Sequence, residues 1–415
     1  MADDWHSERA EPVAVGPPRR RPTRRDRIRE ARTKRRRRVA AVVALAILVV
    51  IVVGAVFLGS KLWHSMFGSS GGDFAGNGVS DVVIQVHDGD STTAIGKTLQ
   101  EQNVVATTKA FVDAAAGNSA ISAIQPGFYK VRTEIPAASA VTRLTDPANR
   151  VGKLVIPEGR QLDDVRDVKT NAVTDGIFTL ISDASCVDLD GDRRCVSVKD
   201  LRNTAGGVAP SELSVPLWAT SAVGTLGSDH RRLEGLIAPG TWNIDPSAEP
   251  RDILATLISA SATQYEQGGL LDTATALNMS PYQILTVASL VQREAKPQDF
   301  SKVARVIYNR LAERRTLEFD STVNYPLDRI EVATTDADRA HPTLWNTYVR
   351  PGLPATPICS PGAPALAAAE KPEPGDWLYF VTIDMQGTTL FTRDYQQHLA
   401  NIELAKRNGV LDSAR

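Results

Sequence analysis

The chain has 415 residues, of which 42% are hydrophobic and 23% charged, and its formal net charge is −1. This length and composition predict two or three folded domains and exclude a chain that is disordered throughout. The charge is unevenly distributed, because residues 1–38 contain 14 Lys and Arg against 6 Asp and Glu. That segment carries a net charge of +8, so the rest of the chain carries −9.

The basic segment is followed directly by an apolar run of twenty uncharged residues, 39–58 (VAAVVALAILVVIVVGAVFL). A helix of this length crosses about 30 Å of hydrocarbon, so the sequence predicts a single membrane span rather than a nucleic-acid-binding tail. Because Arg35–Arg38 precede the run, we expect the N-terminus in the cytoplasm and the residues after the span outside the cell. A cleaved signal peptide is the alternative, although its apolar core is usually shorter and ends at a small-residue cleavage site.

The strand and helix patterns along the rest of the chain predict an α+β protein with an N-terminal membrane helix. A disordered tail, the span and a flexible Gly/Ser-rich linker come first, followed by two small α+β modules and a mostly helical α+β domain. The predicted bounds are 1–38, 39–58, 59–80, 81–150, 151–264 and 265–415.

The two modules are inferred from a weak internal repeat. In it VVIQVHDG is similar to KLVIPEG, and PGFYKV is similar to PGTWNI. Short helices are expected after the second strand of each copy, at Ala138–Leu144 and Arg251–Leu257. Such modules either bind a polymer or serve as spacers, and the sequence leaves both functions open.

The three cysteines differ in their surroundings. Cys186 and Cys195 lie close together in SCVDLDGDRRC, and outside the cell a local disulfide between them is predicted. The Asp residues of this segment are typical of part of a calcium loop, but the closing Glu of an EF-hand is missing, which favours a solvated acidic turn. Cys359 is predicted to be an unpaired packing residue, because no His/Asp partner accompanies it. Neither a metal nor a cofactor is expected, since the sequence has no ligand cluster and no phosphate-binding glycine loop.

The C-terminal domain begins its clearest helix at Ser280, where an N-cap, the first-turn Pro281 and a capping box with Gln283 coincide. Glu294 falls in the last turn of this helix, at the edge of its apolar stripe and shortly before Pro297. Partial burial and the negative helix end both favour a protonated carboxyl, which suits general acid catalysis at a glycosidic oxygen. A helix-end carboxylate paired with an arginine is the structural alternative. Further elements are predicted at Phe300–Arg315 (helix), Trp377–Ile383 and Thr388–Thr392 (strands) and Tyr395–Arg407 (helix).

The segment LTVASLVQREA, which contains Glu294, resembles the ASIVEKE-type signature of the endolytic murein transglycosylase (YceG-like) family. The resemblance extends in order through LEGLIAPGTW, VARVIYNRL, LEFDSTVNY, WNTYVRPGLPATPICSPG and LYFV, and covers most of residues 80–400. It implies a membrane anchor, a LysM-like module and a catalytic domain with one essential Glu, which corresponds to Glu294. The chain departs from the family pattern at Gln292, where the family often has Glu, and at Thr389, where it often has His. His398 matches a later histidine of the family.

The resemblance implies a membrane-anchored lytic transglycosylase that cuts the bond between N-acetylmuramic acid and N-acetylglucosamine in nascent glycan strands. Cleavage would leave 1,6-anhydro ends and terminate strand elongation. A single carboxyl suits this reaction, because attack by the muramic C6 hydroxyl on its own C1 replaces the second carboxylate of ordinary glycosidases. The expected partners are peptidoglycan glycan strands, the membrane and cell-wall synthases, and no nucleic acid. A non-catalytic glycan-binding scaffold and a hydrolytic muramidase are the alternatives, the latter with Asp320 as second carboxylate.

A sugar-binding cleft is predicted from the polar and aromatic residues of the other motifs. Carbohydrate sites combine hydrogen-bonding groups with an aromatic face, as the Asn-Thr-Tyr sequence after Trp345 does. A structural function stays open for two members of the set, because Asp320 also suits the cap of a turn and Arg310 a buried ion pair. The predicted substrate-binding residues are Asn309, Arg310, Asp320, Thr322, Asn346, Thr347 and Tyr348.

Overall fold

A computed structural model describes residues 72–327, 329–330 and 334–410. The predicted tail, the predicted span at residues 39–58 and most of the predicted linker lie outside these ranges. Within them, no helix combines the length and the apolar character needed to cross a membrane.

The described residues form short helices and several small sheets of two or three strands each. The α-helices are α1 (Thr92–Glu101), α2 (Thr108–Ala115), α3 (Ala137–Thr145), α4 (Ile177–Ala184), α5 (Val198–Gly207), α6 (Leu217–Thr225), α7 (Pro250–Gln267), α8 (Leu270–Leu277), α9 (Pro281–Glu294), α10 (Phe300–Ala312), α11 (Asp320–Asn324), α12 (Asp336–Ala340), α13 (Ala363–Glu370) and α14 (Tyr395–Arg407). The strands are β1 (Asp81–Val86), β2 (Gly127–Arg132), β3 (Arg150–Val151), β4 (Lys153–Ile156), β5 (Val165–Asp167), β6 (Val173–Thr174), β7 (Val187–Leu189), β8 (Asp192–Arg194), β9 (Gly240–Asn243), β10 (Arg329–Ile330), β11 (Tyr379–Thr382) and β12 (Thr389–Thr392). The predicted α+β class is confirmed.

The first module consists of an antiparallel sheet with strand order β1–β2–β3, packed against α1, α2 and α3. Alternation along β1 directs Ile84 and Val86 into the interior. The helices contribute Leu99, Phe111 and Leu144, each of which is almost completely buried. These side chains belong to a hydrophobic cluster that contains residues of the first module alone.

The internal repeat predicted from the sequence corresponds to two similar strand pairs. β1 pairs antiparallel with β2, so that Val86 lies opposite Gly127, and β4 pairs antiparallel with β9, so that Ile156 lies opposite Gly240. Both glycines have positive φ, +148° and +144°, a conformation that residues with a side chain rarely adopt. The second pair has no separate core, because Leu154 and Ile156 join the large cluster that also holds α7, α9 and α10. The LysM-like character of the modules stays a prediction.

Helix α9 runs through the interior of the large core. The Ser280 hydroxyl accepts the Gln283 N–H (3.2 Å) and the Gln283 side chain accepts the Ser280 N–H (2.8 Å), so the predicted capping box is confirmed. Residues 284–291 are all buried, because α6, α8, α10 and α13 pack around the helix. The sequence predicted an apolar stripe on one side of this helix. In the structure the helix is buried on all sides over these residues, so the predicted stripe is too narrow. It ends at Glu294, since Ala295 is extended (φ −141°, ψ 170°).

The C-terminal hairpin lies beside the end of α9. β11 pairs antiparallel with β12, so that Phe380 lies opposite Phe391 and Thr382 opposite Thr389. Helix α14 packs on both strands of this hairpin, and helix α10 contacts β11. The hairpin thereby presents Phe380, Thr382 and Thr389 next to Glu294.

A second hairpin, formed by β7 and β8, connects the first module to the large core. Its turn contains Asp190 (φ 54°) and Gly191 (φ 84°), the Asp-Gly pair that favours a type I′ turn. Cys186 and Cys195 at its base form a disulfide, whereas Cys359 is a free, buried thiol.

The tip of this hairpin binds the first module through polar contacts that we call the hairpin clasp (Asp188, Asp190, Asp81, Lys130 and Arg132). The Asp81 N–H donates to the Asp190 carboxylate (3.0 Å), and the Asp190 N–H donates to the Asp81 carboxylate (3.1 Å). The Lys130 ammonium donates to the Asp188 carbonyl (2.9 Å). The Arg132 guanidinium lies between the carboxylates of Asp81 (3.2 Å) and Asp190 (3.4 Å).

Candidate active site

A cavity of about 160 Å³ lies where α9 ends against the C-terminal hairpin. The backbone leaves helical geometry at Ala295, two residues before Pro297, so the side chains that follow Glu294 turn around this cavity. Its lining combines charged groups, threonine hydroxyls and one aromatic ring. The lining residues are Arg293, Glu294, Ala295, Lys296, Val303, Phe380, Thr382 and Thr389.

The Glu294 carboxyl is half-buried in this cavity and is held by a hydrogen bond that the Ser321 hydroxyl donates to Oε1. Burial raises the pKa of Glu294 to about 7, the charge of Asp320 adds to the rise, and Ser321 and Arg293 oppose it. The pKa shift has the direction expected from the sequence. A carboxyl in this state is protonated in a large fraction of molecules at neutral pH and can donate its proton.

The Asp320 carboxyl has the opposite environment. Burial disfavours its charge, but hydrogen bonds from Arg339, Tyr348 and Thr334 outweigh this effect and lower the pKa of Asp320. The Tyr348 hydroxyl donates to Oδ1 (2.6 Å), as does the Thr334 hydroxyl (2.7 Å), and the Arg339 guanidinium donates to Oδ2 (3.1 Å). Asp320 is therefore ionised at neutral pH, next in sequence to the serine that holds Glu294.

Three of the predicted substrate-binding residues are buried and do not belong to the lining of the Glu294 cavity. Thr322 and Thr347 are buried, and their hydroxyl oxygens are 2.9 Å apart. The buried Asn346 amide donates to the carbonyls of Arg339 (2.9 Å) and His341 (2.7 Å). These contacts fix the segment from which Arg339 reaches Asp320, so in this structure the three side chains bond to the protein itself.

Asn309 and Arg310 hold the C-terminal hairpin against α10. The Asn309 amide donates to the Trp377 carbonyl (2.9 Å), and the Arg310 guanidinium donates to the carbonyls of Leu378 (2.7 Å) and Leu317 (2.7 Å). The lining of the Glu294 cavity includes neither residue. The sequence left open a structural function for Arg310, as a member of a buried ion pair. The structure gives it a structural function, but its main partners are backbone carbonyls.

Two further groups lie apart from the cavity lining: His398, which the sequence motifs singled out, and Glu234, which they did not. His398 stacks on Tyr379, with ring centroids 4.9 Å apart. Glu234, from LEGLIAPGTW, is a second buried carboxyl that accepts the Leu162 N–H (3.1 Å) and the Tyr325 hydroxyl (2.8 Å). Burial raises the pKa of Glu234 to about 8, so this carboxyl is mainly protonated at neutral pH.

Sequence reasoning assigned no function to Arg339 or Lys296, and it interpreted Ser321 as a short polar group for sugar hydroxyls rather than as a partner of Glu294. Ser321 stands inside the motif LEFDSTVNY, and Lys296 directly follows the end of the motif LTVASLVQREA. Arg339 carried no such signal, because its contact with Asp320 spans 19 residues. Thr389, noted as a departure from the family pattern, does line the cavity.

This α+β fold carries two carboxyl groups whose pKa values are driven apart by their surroundings, which is typical of acid–base catalysts. The chain belongs to the YceG-like family, whose family model matches residues 84–404. The membership confirms the resemblance inferred from the motifs.

Named relatives and a solved structure agree with this membership. The chain is 27% identical over 320 residues to the endolytic murein transglycosylase of Bacillus subtilis (strain 168), which covers 76% of this chain and 82% of that protein. It is 24% identical over 338 residues to the endolytic murein transglycosylase of Streptococcus pneumoniae serotype 2 (strain D39), which covers 77% of this chain and 58% of that protein. The crystal structure of a yceG-like protein from Listeria monocytogenes has a TM-score of 0.50 at 24% identity, and covers 77% of this chain and 98% of that one. This last likeness concerns the fold.

Proposed function

We propose that this chain is a lytic transglycosylase that cleaves peptidoglycan glycan strands, with Glu294 as its catalytic acid. The observation that carries the proposal is the half-buried Glu294 carboxyl, whose pKa is raised to about 7 at the edge of a cavity. Membership of the YceG-like family and the names of the two relatives support the substrate class.

The proposed reaction uses the Glu294 carboxyl twice. Its proton passes to the oxygen between the muramic C1 and the departing N-acetylglucosamine, and the C1–O bond breaks. The muramic C6 hydroxyl then forms a bond to C1 and returns its proton to the Glu294 carboxylate, which leaves a 1,6-anhydro end and consumes no water. Ser321 holds the carboxyl in place, and the negative charge of Asp320 favours its protonated form before the reaction.

We also propose that the chain is anchored by residues 39–58 and acts outside the cell. The uncharged run preceded by four arginines supports this orientation. A disulfide between Cys186 and Cys195 fits an oxidising compartment. An enzyme at this location would end the elongation of strands made by cell-wall synthases.

The test of the catalytic proposal is Glu294→Gln, which keeps the shape of the side chain but removes the transferable proton. Loss of one acid–base group typically costs about 10²–10⁴-fold in rate, and the loss here should reach the upper end because one carboxyl serves both steps. Mass spectrometry of products from nascent glycan measures the cleavage. The matched control is Glu212→Gln, at an exposed carboxylate outside the cavity lining. Near-native cleavage by Glu294→Gln would overturn the proposal.

A hydrolytic muramidase is the second candidate, because an ionised carboxylate does lie near the acid. Its oxygens, however, accept hydrogen bonds from Tyr348, Thr334 and Arg339, which leaves little capacity to attack a sugar or to activate water. Cleavage in water labelled with oxygen-18 separates the two reactions. Incorporation of the label at C1 shows attack by water, whereas the proposed reaction gives unlabelled 1,6-anhydro ends.

A further inference from the structure

Two cations line the Glu294 cavity without an acidic partner in the part of the chain that the structure describes. Arg293 and Lys296 are both exposed, and neither side chain forms an ion pair with a described carboxylate. The carboxyl among the lining residues is that of Glu294, whose pKa is raised to about 7. The cavity therefore carries an uncompensated positive charge at neutral pH.

The Lys296 ammonium is held at this position by the turn of the C-terminal hairpin. It donates to the Gln386 carbonyl (3.2 Å), which occupies one of its three N–H groups. Its side chain lies across Gly387, where a Cβ atom would come within 2.0 Å of Nζ and 2.7 Å of Cε. Gly387 also has a φ of +88°, so the residue type and the backbone conformation together leave room for the lysine. An ammonium ordered in advance loses less entropy when it binds a ligand.

We propose that Lys296 and Arg293 form a subsite for a carboxylate of the peptide carried by the muramic acid residue of the strand. This inference rests on the proposed function. The two sugars of a peptide-bearing strand are uncharged, because the lactyl carboxyl of each muramic acid residue is consumed in the amide bond to its peptide. The negative groups of such a strand are therefore the carboxylates of its peptides. An ammonium and a guanidinium bind a carboxylate through charge-assisted hydrogen bonds. The subsite would let the protein distinguish strands whose peptides carry free carboxylates from strands whose peptide carboxylates are amidated.

A purely structural effect of the same cations predicts a different result. Positive side chains near the C-terminal end of a helix stabilise that end, and Arg293 also lowers the pKa of Glu294. Both effects act on the protein irrespective of the ligand. The ratio between ligands with and without carboxylates is therefore the informative measurement.

The experiment compares three preparations of the same glycan strands: with intact peptides, with the peptide carboxylates converted to amides, and with the peptides removed and the lactyl carboxylates that this exposes also converted to amides. Binding is measured in the Glu294→Gln background, which prevents cleavage and removes the titrating carboxyl. We expect Lys296→Gln to weaken binding of the intact strands about fivefold, as for an exposed ion pair, and to leave the other two unchanged. In the active protein the same change should raise KM for intact strands and leave kcat unaltered.

The matched control is Lys371→Gln, which removes an exposed positive charge at the end of α13, outside the cavity lining. It should change none of the three affinities, and Arg293→Gln should repeat the selectivity of Lys296→Gln. Equal weakening of all three strands, or equal affinity of the parent for all three, overturns the subsite. Absence of cleavage by the native chain would contradict the proposed function instead, while the binding ratios would still decide on the subsite.

Discussion

Glu294 and Asp320 show how two carboxyl groups at one site acquire opposite protonation states. Glu294 is half-buried and receives one hydroxyl hydrogen bond, so burial dominates and the pKa of Glu294 rises to about 7. Asp320 receives hydrogen bonds from Arg339, Tyr348 and Thr334, which stabilise its charge and lower its pKa. Hydrogen bonds to the charged form thus decide which carboxyl keeps its proton.

The Ser321 hydroxyl is expected to set the pH at which Glu294 loses its proton. Its hydrogen bond stabilises the carboxylate, so Ser321→Ala should raise the pKa of Glu294 further. Because an acid must be protonated to act, the alkaline limb of the kcat/KM profile should then move to higher pH. Loss of the hydrogen bond that orients the carboxyl should also reduce kcat, by about tenfold.

The conservative variant Ser321→Thr separates the hydroxyl from the rest of the side chain. It keeps the donor and should retain most of the native profile. Arg293, Lys296, Asp320 and Tyr348 also face or influence Glu294, and they remain unchanged in both variants. An alkaline limb at the same pH in Ser321→Ala and in the native chain would contradict this assignment.

The sequence could indicate Glu294 as a buried acid but not Glu234. The signals that mark Glu294 are close to it in the chain, whereas the contacts that bury Glu234 come from distant residues. Glu294 stands at a helix end that Ser280, Gln283 and Pro297 mark locally. The buried Glu234 carboxyl accepts hydrogen bonds from the Tyr325 hydroxyl, 91 residues away in the chain, and from the Leu162 N–H, 72 residues away. No local pattern reports such contacts, and the same holds for the bond between Arg339 and Asp320.

At the scale of elements, short-range signals predicted the helix starts and the last helix well. The predicted helix Tyr395–Arg407 coincides with α14, and the capping box of α9 lies where expected. The helix predicted at Arg251–Leu257 is too short, because Ile258, Ala262 and Tyr265 continue its buried face and α7 runs to Gln267. The similarity between the two repeat copies suggested a short helix, whereas the large core accommodates a longer one.

The capping box should contribute measurably to the stability of the large core. Ser280→Ala removes the hydroxyl that accepts the Gln283 N–H at the start of α9, and such a change typically costs about 1 kcal/mol. Urea denaturation should therefore show a lower free energy of unfolding. Ser259→Ala, at an exposed position inside α7, is the matched control and should have little effect. Equal free energies of unfolding for the two variants would show that the cap is dispensable.

On the scale of the whole molecule, two hydrophobic cores are joined mainly by polar contacts. The cluster of the first module and the large cluster share no residue. The hairpin clasp joins them at β1 and β2, and the Arg150 guanidinium adds a hydrogen bond to the Asn243 side chain (3.0 Å). The orientation of the first module therefore depends on a hairpin that the disulfide between Cys186 and Cys195 closes.

This arrangement has a consequence for the cooperativity of thermal unfolding. Two separate cores would melt independently unless their contacts link the transitions, and the clasp supplies that link only while its hairpin is ordered. The disulfide closes a short loop and so lowers the entropy of the unfolded hairpin, which stabilises the folded hairpin by roughly 2–3 kcal/mol. In calorimetry the native chain should give one transition, and the double variant Cys186→Ser/Cys195→Ser should give two, the earlier one from the first module.

Cys359→Ala is the control for this experiment, since it removes a buried thiol that contacts the Ser289 carbonyl in α9 and does not touch the clasp. It should lower the temperature of a transition that remains single. If the double variant also melts in one step, the two cores unfold together without help from the hairpin. If it melts in two, a bond between two cysteines nine positions apart decides whether the described residues behave as one thermodynamic unit or as two.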